Sequence, residues 1–133
     1  MTKFYSPRES WTPGPWTTEP DEVAPFEHAG LKCWLIRRPS GHWCGYVAVP
    51  ADHALHGVSY DHLYDIDVHG SITFSDQEDA GWTFGFDCNH WSDLAPANLF
   101  AGISVHNKNA VYRDQAYATA EVRHLAEQLA GRA

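Results

Sequence analysis

LKCWLIRRPSGHWCGYVAV, residues 31–49, decides the fold class. Residues 31–38 and 42–49 are mostly aromatic, β-branched or otherwise apolar, and Pro39, Ser40 and Gly41 stand between them. Two such runs around a short turn-forming stretch read as an antiparallel hairpin. Pro50 lacks the N–H that a ladder needs and ends the second strand. Residues 51–56 have room for one helical turn stopped by Gly57, and residues 60–64 make an irregular approach to the next strand.

Working outward, DIDVHGSITFS at 65–75 alternates more cleanly than any other stretch. Ile66, Val68, Ile72 and Phe74 fall on one face, and Asp65, Asp67, His69, Ser71, Thr73 and Ser75 on the other. After the acidic loop at 76–81, Trp82, Phe84 and Phe86 alternate with Thr83, Gly85 and Asp87, which predicts a second hairpin. From Asp114, a suitable N-cap, to Gly131, the residues Ala118, Val122, Leu125 and Leu129 form an apolar stripe at helical spacing. The expected architecture is α+β: a mainly antiparallel sheet of four to six strands with one C-terminal helix packed on it.

Residues 1–27 hold Pro7, Pro13, Pro15, Pro20 and Pro25, so regular structure is not expected there. The same stretch carries Phe4, Tyr5, Trp11, Trp16 and Phe26, more apolar surface than a solvated linker needs. It reads as an extended Pro-rich N-terminal arm that covers a sheet edge or face, or reaches a second subunit to make an oligomer. A chain of 133 residues with 44% hydrophobic content suits a single domain over 1–133, with its core in 31–130.

Seventeen Asp and Glu against nine Lys and Arg leave a net charge of −8, the wrong sign for nucleic-acid backbones or anionic membranes. Residues 1–12 lack the apolar run of a secretory signal, and no stretch approaches the roughly 20 apolar residues of a membrane span. The expectation is a soluble, cytoplasmic protein. Cys33, Cys44 and Cys88 are odd in number and include no CxxC pair, so they read as buried thiols, with Cys33 and Cys44 placed to face each other across the first hairpin.

Pairing Phe74 with Trp82 in the second hairpin sets Gly70 opposite Phe86 and His69 opposite Asp87. The sequence then runs through His90 to Asp93, placing a second imidazole and a second carboxylate near the strand end. His69, Asp87, His90 and Asp93 would supply two nitrogen and two oxygen ligands for zinc, manganese or iron, and an open position would activate water. Without metal, Asp87 would orient His69 as a general base. The competing reading is a structural hydrogen bond across two strands, with Asp87 or Asp93 capping a turn.

Arg113, just before the helix, suits a phosphate or carboxylate clamp at the helix N-terminus, or else a surface ion pair. His53, His56 and His62 read as titrating surface residues, while His28, His42, His106 and His124 have no evident partner. Trp82, Trp91 and Tyr64 are of the kind that stacks on a nucleobase, against a default of core packing. No Walker loop, dinucleotide glycine motif, GxSxG elbow or Cys–His nucleophile pattern is present.

GYVAVP at 45–50, DVHGSITFS at 67–75, WTFGFDCNHWSDLAP at 82–96 and YRDQAYATAEVRHLAEQL at 112–129 resemble the uncharacterised small proteins encoded by bacteriophages and bacteria. The resemblance spans about residues 31–130 and implies a phage or mobile-element setting, without assigning a reaction. That family usually has Gly where Ser71 stands and small residues at Trp91 and Ser92, which implies a narrower site mouth here. Three functional readings follow. The first is a polar His/Asp pocket, metal-binding and hydrolytic. The second is an acidic protein whose residues 19–22 and 76–79 occupy the basic groove of a host defence or nucleic-acid enzyme. The third is a binder of nucleotides or other small molecules, with Arg113 at its polar face.

Overall fold

The computed structural model describes residues 13–96 and 109–133. Its frame is a five-stranded sheet of β1 (Glu22–His28), β2 (Leu31–Arg37), β3 (Trp43–Val49), β4 (Phe74–Glu78) and β5 (Gly81–Asp87), followed by α1 (Gln115–Ala130). The strands lie in the order β1-β2-β3-β5-β4, and every pairing is antiparallel. With the helix packed on β2 and β3, the fold is α+β as expected.

The first hairpin forms where the apolar runs place it, with Lys32 opposite Ala48 and Arg37 opposite Trp43. Strand alternation sends Leu31, Cys33, Leu35, Trp43, Val47 and Val49 toward the helix. Gly45 lets the helix approach: a Cβ there would lie 2.3 Å from Val122 Cγ2 and 2.5 Å from the Phe86 ring. The helix answers with Ala118, Val122, Leu125, Ala126 and Leu129, all fully buried. Asp114 caps it, accepting from the Tyr117 backbone N–H at 2.8 Å.

Three expectations change. Residues 22–27 of the expected arm, with His28, form the edge strand β1. Its register slips between Val23 and Phe26 around Pro25, and an edge tolerates a residue that cannot donate. Residues 1–12 of the expected arm lie outside the described residues. Cys33 and Cys44 do not face each other: Cys33 pairs with Val47 and Cys44 with Ile36, on opposite faces of the sheet. Burial pushes the Cys33 thiol up to about 11 and that of Cys44 up to about 12, so neither is a reactive thiolate.

The third change concerns the second hairpin. Of the alternating stretch only Phe74 and Ser75 are in a strand, β4 takes in Asp76–Glu78 of the expected acidic loop, and Phe74 pairs with Gly85, not Trp82. This three-residue difference is odd, so Phe74 moves to the sheet face away from the helix. The upstream segment has the burial of a strand without its ladder: Ile66, Val68 and Ile72 are buried, Asp65 and Asp67 exposed. Helix side chains take the place of a neighbouring strand. Gln128 Oε1 accepts from Asp67 N at 2.8 Å while its Nε2 donates to Asp67 O at 2.7 Å. Glu121 accepts from His69 N at 2.7 Å, and Arg132 forks onto Asp65 at 2.9 and 3.1 Å. Residues 117, 121, 124, 128 and 132 form one stripe at helical spacing, and that stripe holds the segment.

Glu19 performs a similar task at the helix N-terminus. Its carboxylate accepts from Arg37 at 3.0 Å, Trp43 Nε1 at 3.2 Å and the Tyr112 hydroxyl, and its second oxygen from Gln115 N at 2.8 Å. One helix-start donor is thereby satisfied, and a negative charge sits at the positive end of the helix dipole.

Several histidines are structural. His53, expected at the surface, is buried: Leu55 N donates to its Nδ1 at 3.0 Å, and its Nε2 donates to Leu129 O at 2.8 Å. His28 meets Glu127 at 2.7 Å and His124 meets Asp67 at 3.3 Å, while His106 lies outside the described residues. His42 is buried beside Ser40, whose hydroxyl bonds its Nδ1. Burial drives the His42 pKa down to about 4, against the opposing pull of Asp87 and Asp93 and with the push of Arg38 and His90. The unfolded imidazole takes up a proton near pH 6.5, so the stability tied to neutral His42 is full above that pH and is lost as pH falls toward 4. Denaturant titrations at about pH 7 and about pH 4 are expected to show a drop about 3 kcal/mol larger in the wild type than in His42→Asn.

Candidate functional site

The site is assembled where the end of β5, the segment before β4 and the start of α1 meet. Asp87 closes β5, and the chain then turns through Asn89, whose N–H bonds Asp87 Oδ1 at 3.0 Å. His90 N donates to Asp93 Oδ2 at 3.0 Å, and Asp93 N donates to His90 O at 2.9 Å, which tightens the loop around the Asp93 carboxylate. An isolated parallel bridge between Asp93 and Val111 fastens this loop to the chain entering the helix. Sequence-distant elements thus deliver Asp93 and Arg113 to one place.

Asp93 is the centre. It is 0% exposed and accepts from His69 Nε2 at 2.8 and 3.0 Å and from Arg113 Nε at 2.8 Å, besides the His90 N–H. Burial raises its carboxyl pKa, but the bonds from His69, Arg113 and the His90 backbone outweigh that and hold it below the usual carboxylate range. An ionised carboxylate can only accept, so His69 Nε2 carries the proton. In the neutral ring Nδ1 is then the acceptor, and the Tyr117 hydroxyl donates to it at 2.8 Å. The result is a chain of hydrogen bonds from a buried anion, through a nearly buried imidazole, to a hydroxyl on a residue 37% exposed.

The expected partners are rearranged accordingly. His69 does not face Asp87, because residue 69 is not in the ladder; its carboxylate is Asp93. Asp87 accepts instead from Thr73 Oγ1 at 3.0 Å and lies 3.4 Å from His90 Nε2, which also donates to the Asp87 backbone carbonyl at 3.1 Å. The four residues read as ligands therefore form two pairs, His69–Asp93 and His90–Asp87, with their imidazole rings 5.8 Å apart. Among the described residues, no group of three or more His, Cys, Asp and Glu is placed to hold a metal ion. Arg113 is not a surface pair: its Nε is committed to buried Asp93, and its guanidinium lies 5.3 Å from the centre of the Tyr117 ring.

Two residues central to this arrangement, Tyr117 and Glu121, lie in the 112–129 stretch that carries the resemblance, but neither has a role in the site as read from sequence. Their signal is the spacing from Asp114, which puts both on the helix face opposite a segment that the sequence reads as a strand. Trp91, 68% exposed, lies in the loop between His90 and Asp93, and Val111, 50% exposed, is bridged to Asp93. Comparison with protein-family models, with curated proteins and with solved structures returned no match.

The turn that presents His69 is backbone-limited. Ser71 N bonds Val68 O at 2.9 Å, and both Gly70 and Ser71 have positive φ, +68° and +70°. A Cβ on Gly70 would lie 2.1 Å from His90 Nε2. Gly70→Ala is expected to cost about 2 kcal/mol, since it adds a clash to left-handed backbone strain, whereas Ser71→Gly should stabilise by about 1 kcal/mol. Thermal denaturation of the two variants checks both signs.

Proposed function

We propose that the His69 centre is a general-base site that hydrolyses a small anionic ester or amide. One observation carries the reading: both nitrogens of His69 are engaged, one by a fully buried carboxylate and the other by the hydroxyl of a partly exposed tyrosine. A water passes its proton to the Tyr117 oxygen as it attacks the substrate's acyl or phosphoryl centre, while Tyr117 passes its own proton to His69 Nδ1. Tyr117 ends neutral, and the imidazolium lies against ionised Asp93. The ester or amide bond then breaks, and the proton returns by the same relay to the leaving oxygen or nitrogen. The carboxylate orients the ring, fixes its tautomer and stabilises the charge that develops on it. Arg113, held at Nε by Asp93, makes no hydrogen bond through its Nη atoms among the described residues. Those donors suit an anionic group of the substrate, and Trp91 and Val111 suit its apolar part.

Ser71 departs from the glycine usual in the phage and bacterial proteins that the sequence resembles, and its φ of +70° is one that glycine adopts without strain. The inhibitor reading has narrower support. Glu19 is turned inward and engaged, while Asp21 and Glu22 of the same patch and Asp76, Glu78 and Asp79 of the other are exposed, all on or beside the two edge strands, where charge discourages further strand pairing.

The test is turnover of p-nitrophenyl phosphate and of activated carboxylate-bearing aryl esters. Activity above the buffer rate is expected with at least one. His69→Gln should lower kcat at least about 100-fold and Tyr117→Phe at least about tenfold, within the range for positioned acid–base groups. Arg113→Gln should act mainly on KM. No turnover of any of these esters, or turnover unchanged in His69→Gln, would overturn the proposal.

A further inference from the structure

The helix covers one face of the sheet, and the opposite face has its own relief. Two hollows there share Trp34 and Glu78. One, of about 420 Å³, also takes in Lys32 and Asp79; the other, of about 390 Å³, extends past Tyr46 and Phe74 to Arg38 and Asp87. Both volumes fall in the range of small-molecule sites. The rings are ordered against one another: Trp34 stacks on Tyr46 with centroids 5.6 Å apart and planes 19° from parallel, and Phe74 meets Tyr46 edge-on at 5.7 Å.

The charges have a direction. Glu78 and Asp87 stand at opposite ends of β5, since Glu78 pairs with Gly81 while Asp87 pairs with Cys44. At the Glu78 end, Glu78 and Asp79 outnumber Lys32; at the far end, Arg38 offsets Asp87. A cation is therefore drawn to one end only, and beside it lie aromatic faces whose quadrupoles also attract cations.

We infer that this sheet face binds a flat aromatic monocation, its ring against Trp34 and Tyr46 and its charge beside Glu78 and Asp79. The site is separate from the His69 centre and does not depend on its chemistry. Benzamidine is the probe, with the neutral benzamide and the anionic benzoate as isosteric controls. Binding is read from amide chemical shifts and intrinsic tryptophan fluorescence of the full chain. Saturable shifts on β2, β3 and β4 are expected below about 10 mM benzamidine, at least about tenfold weaker for benzamide and absent for benzoate. Glu78→Gln should weaken benzamidine about threefold to tenfold, and Asp87→Asn, at the far end, less than twofold. Trp34→Val should abolish binding and Trp34→Phe retain it, which separates loss of the ring from loss of fold. Equal affinity for benzamidine and benzamide, shifts confined to other elements, an unchanged affinity in Glu78→Gln, or no saturation would each overturn the inference.

Discussion

A carboxylate with no access to solvent must be neutralised by its neighbours, and around Asp93 that requirement organises the functional end of the molecule. Leaving such a charge unpaired costs several kcal/mol, so the loop, the imidazole and the guanidinium have to arrive together. Each comes from a different segment: the His90 N–H from the loop after β5, His69 from the segment before β4, and Arg113 from the approach to the helix. Satisfying one anion thus fixes three pieces of chain that share no strand ladder. The same requirement leaves His69 with one free nitrogen, which faces the helix and finds Tyr117.

The helix is two-sided for the same reason. Its apolar stripe packs on β2 and β3, while a polar stripe from Tyr117 to Arg132 supplies hydrogen bonds to an extended segment that has no strand beside it. Buried backbone donors and acceptors need partners of some kind, and here side chains provide them. His69 is positioned through its own backbone by Glu121 as well as through its ring. Glu19 ties the helix N-terminus to β2 and β3, so the end that carries Arg113 and Tyr117 is anchored on both sides of the sequence.

Much of the frame was legible because hydrophobic period reports burial directly. The first hairpin, the capped helix and its stripe follow from residues 31–49 and 114–131. Alternation at 65–75 correctly marks Ile66, Val68 and Ile72 as inward, but period two states which side chains are buried, not what pairs with the backbone. The Gly70 and Ser71 turn breaks the extended path before a ladder can form, and the true hairpin closes tightly through Asp79 and Ala80. The shorter turn displaced the register by three residues and exchanged the partner of His69. His69, His90, Asp87, Asp93 and Arg113 do gather at one end of the sheet, because the turn at 88–93 stays beside the end of β5 and the Asp93–Val111 bridge brings the approach to the helix next to it. Tyr117 was not legible, since an exposed tyrosine in the first turn of a helix acquires its meaning only from the imidazole across from it.

The tautomer of His69 tests the account most directly. Long-range nitrogen–proton correlation of ring-labelled protein should find the proton fixed on Nε2, facing Asp93, with Nδ1 as the acceptor from Tyr117, where an unanchored ring would average the two tautomers. The same pattern should persist in His90→Gln and be lost in Asp93→Asn. A proton resident on Nδ1, or a ring averaging both tautomers in the wild type, would contradict the hydrogen-bond chain from Asp93 to Tyr117.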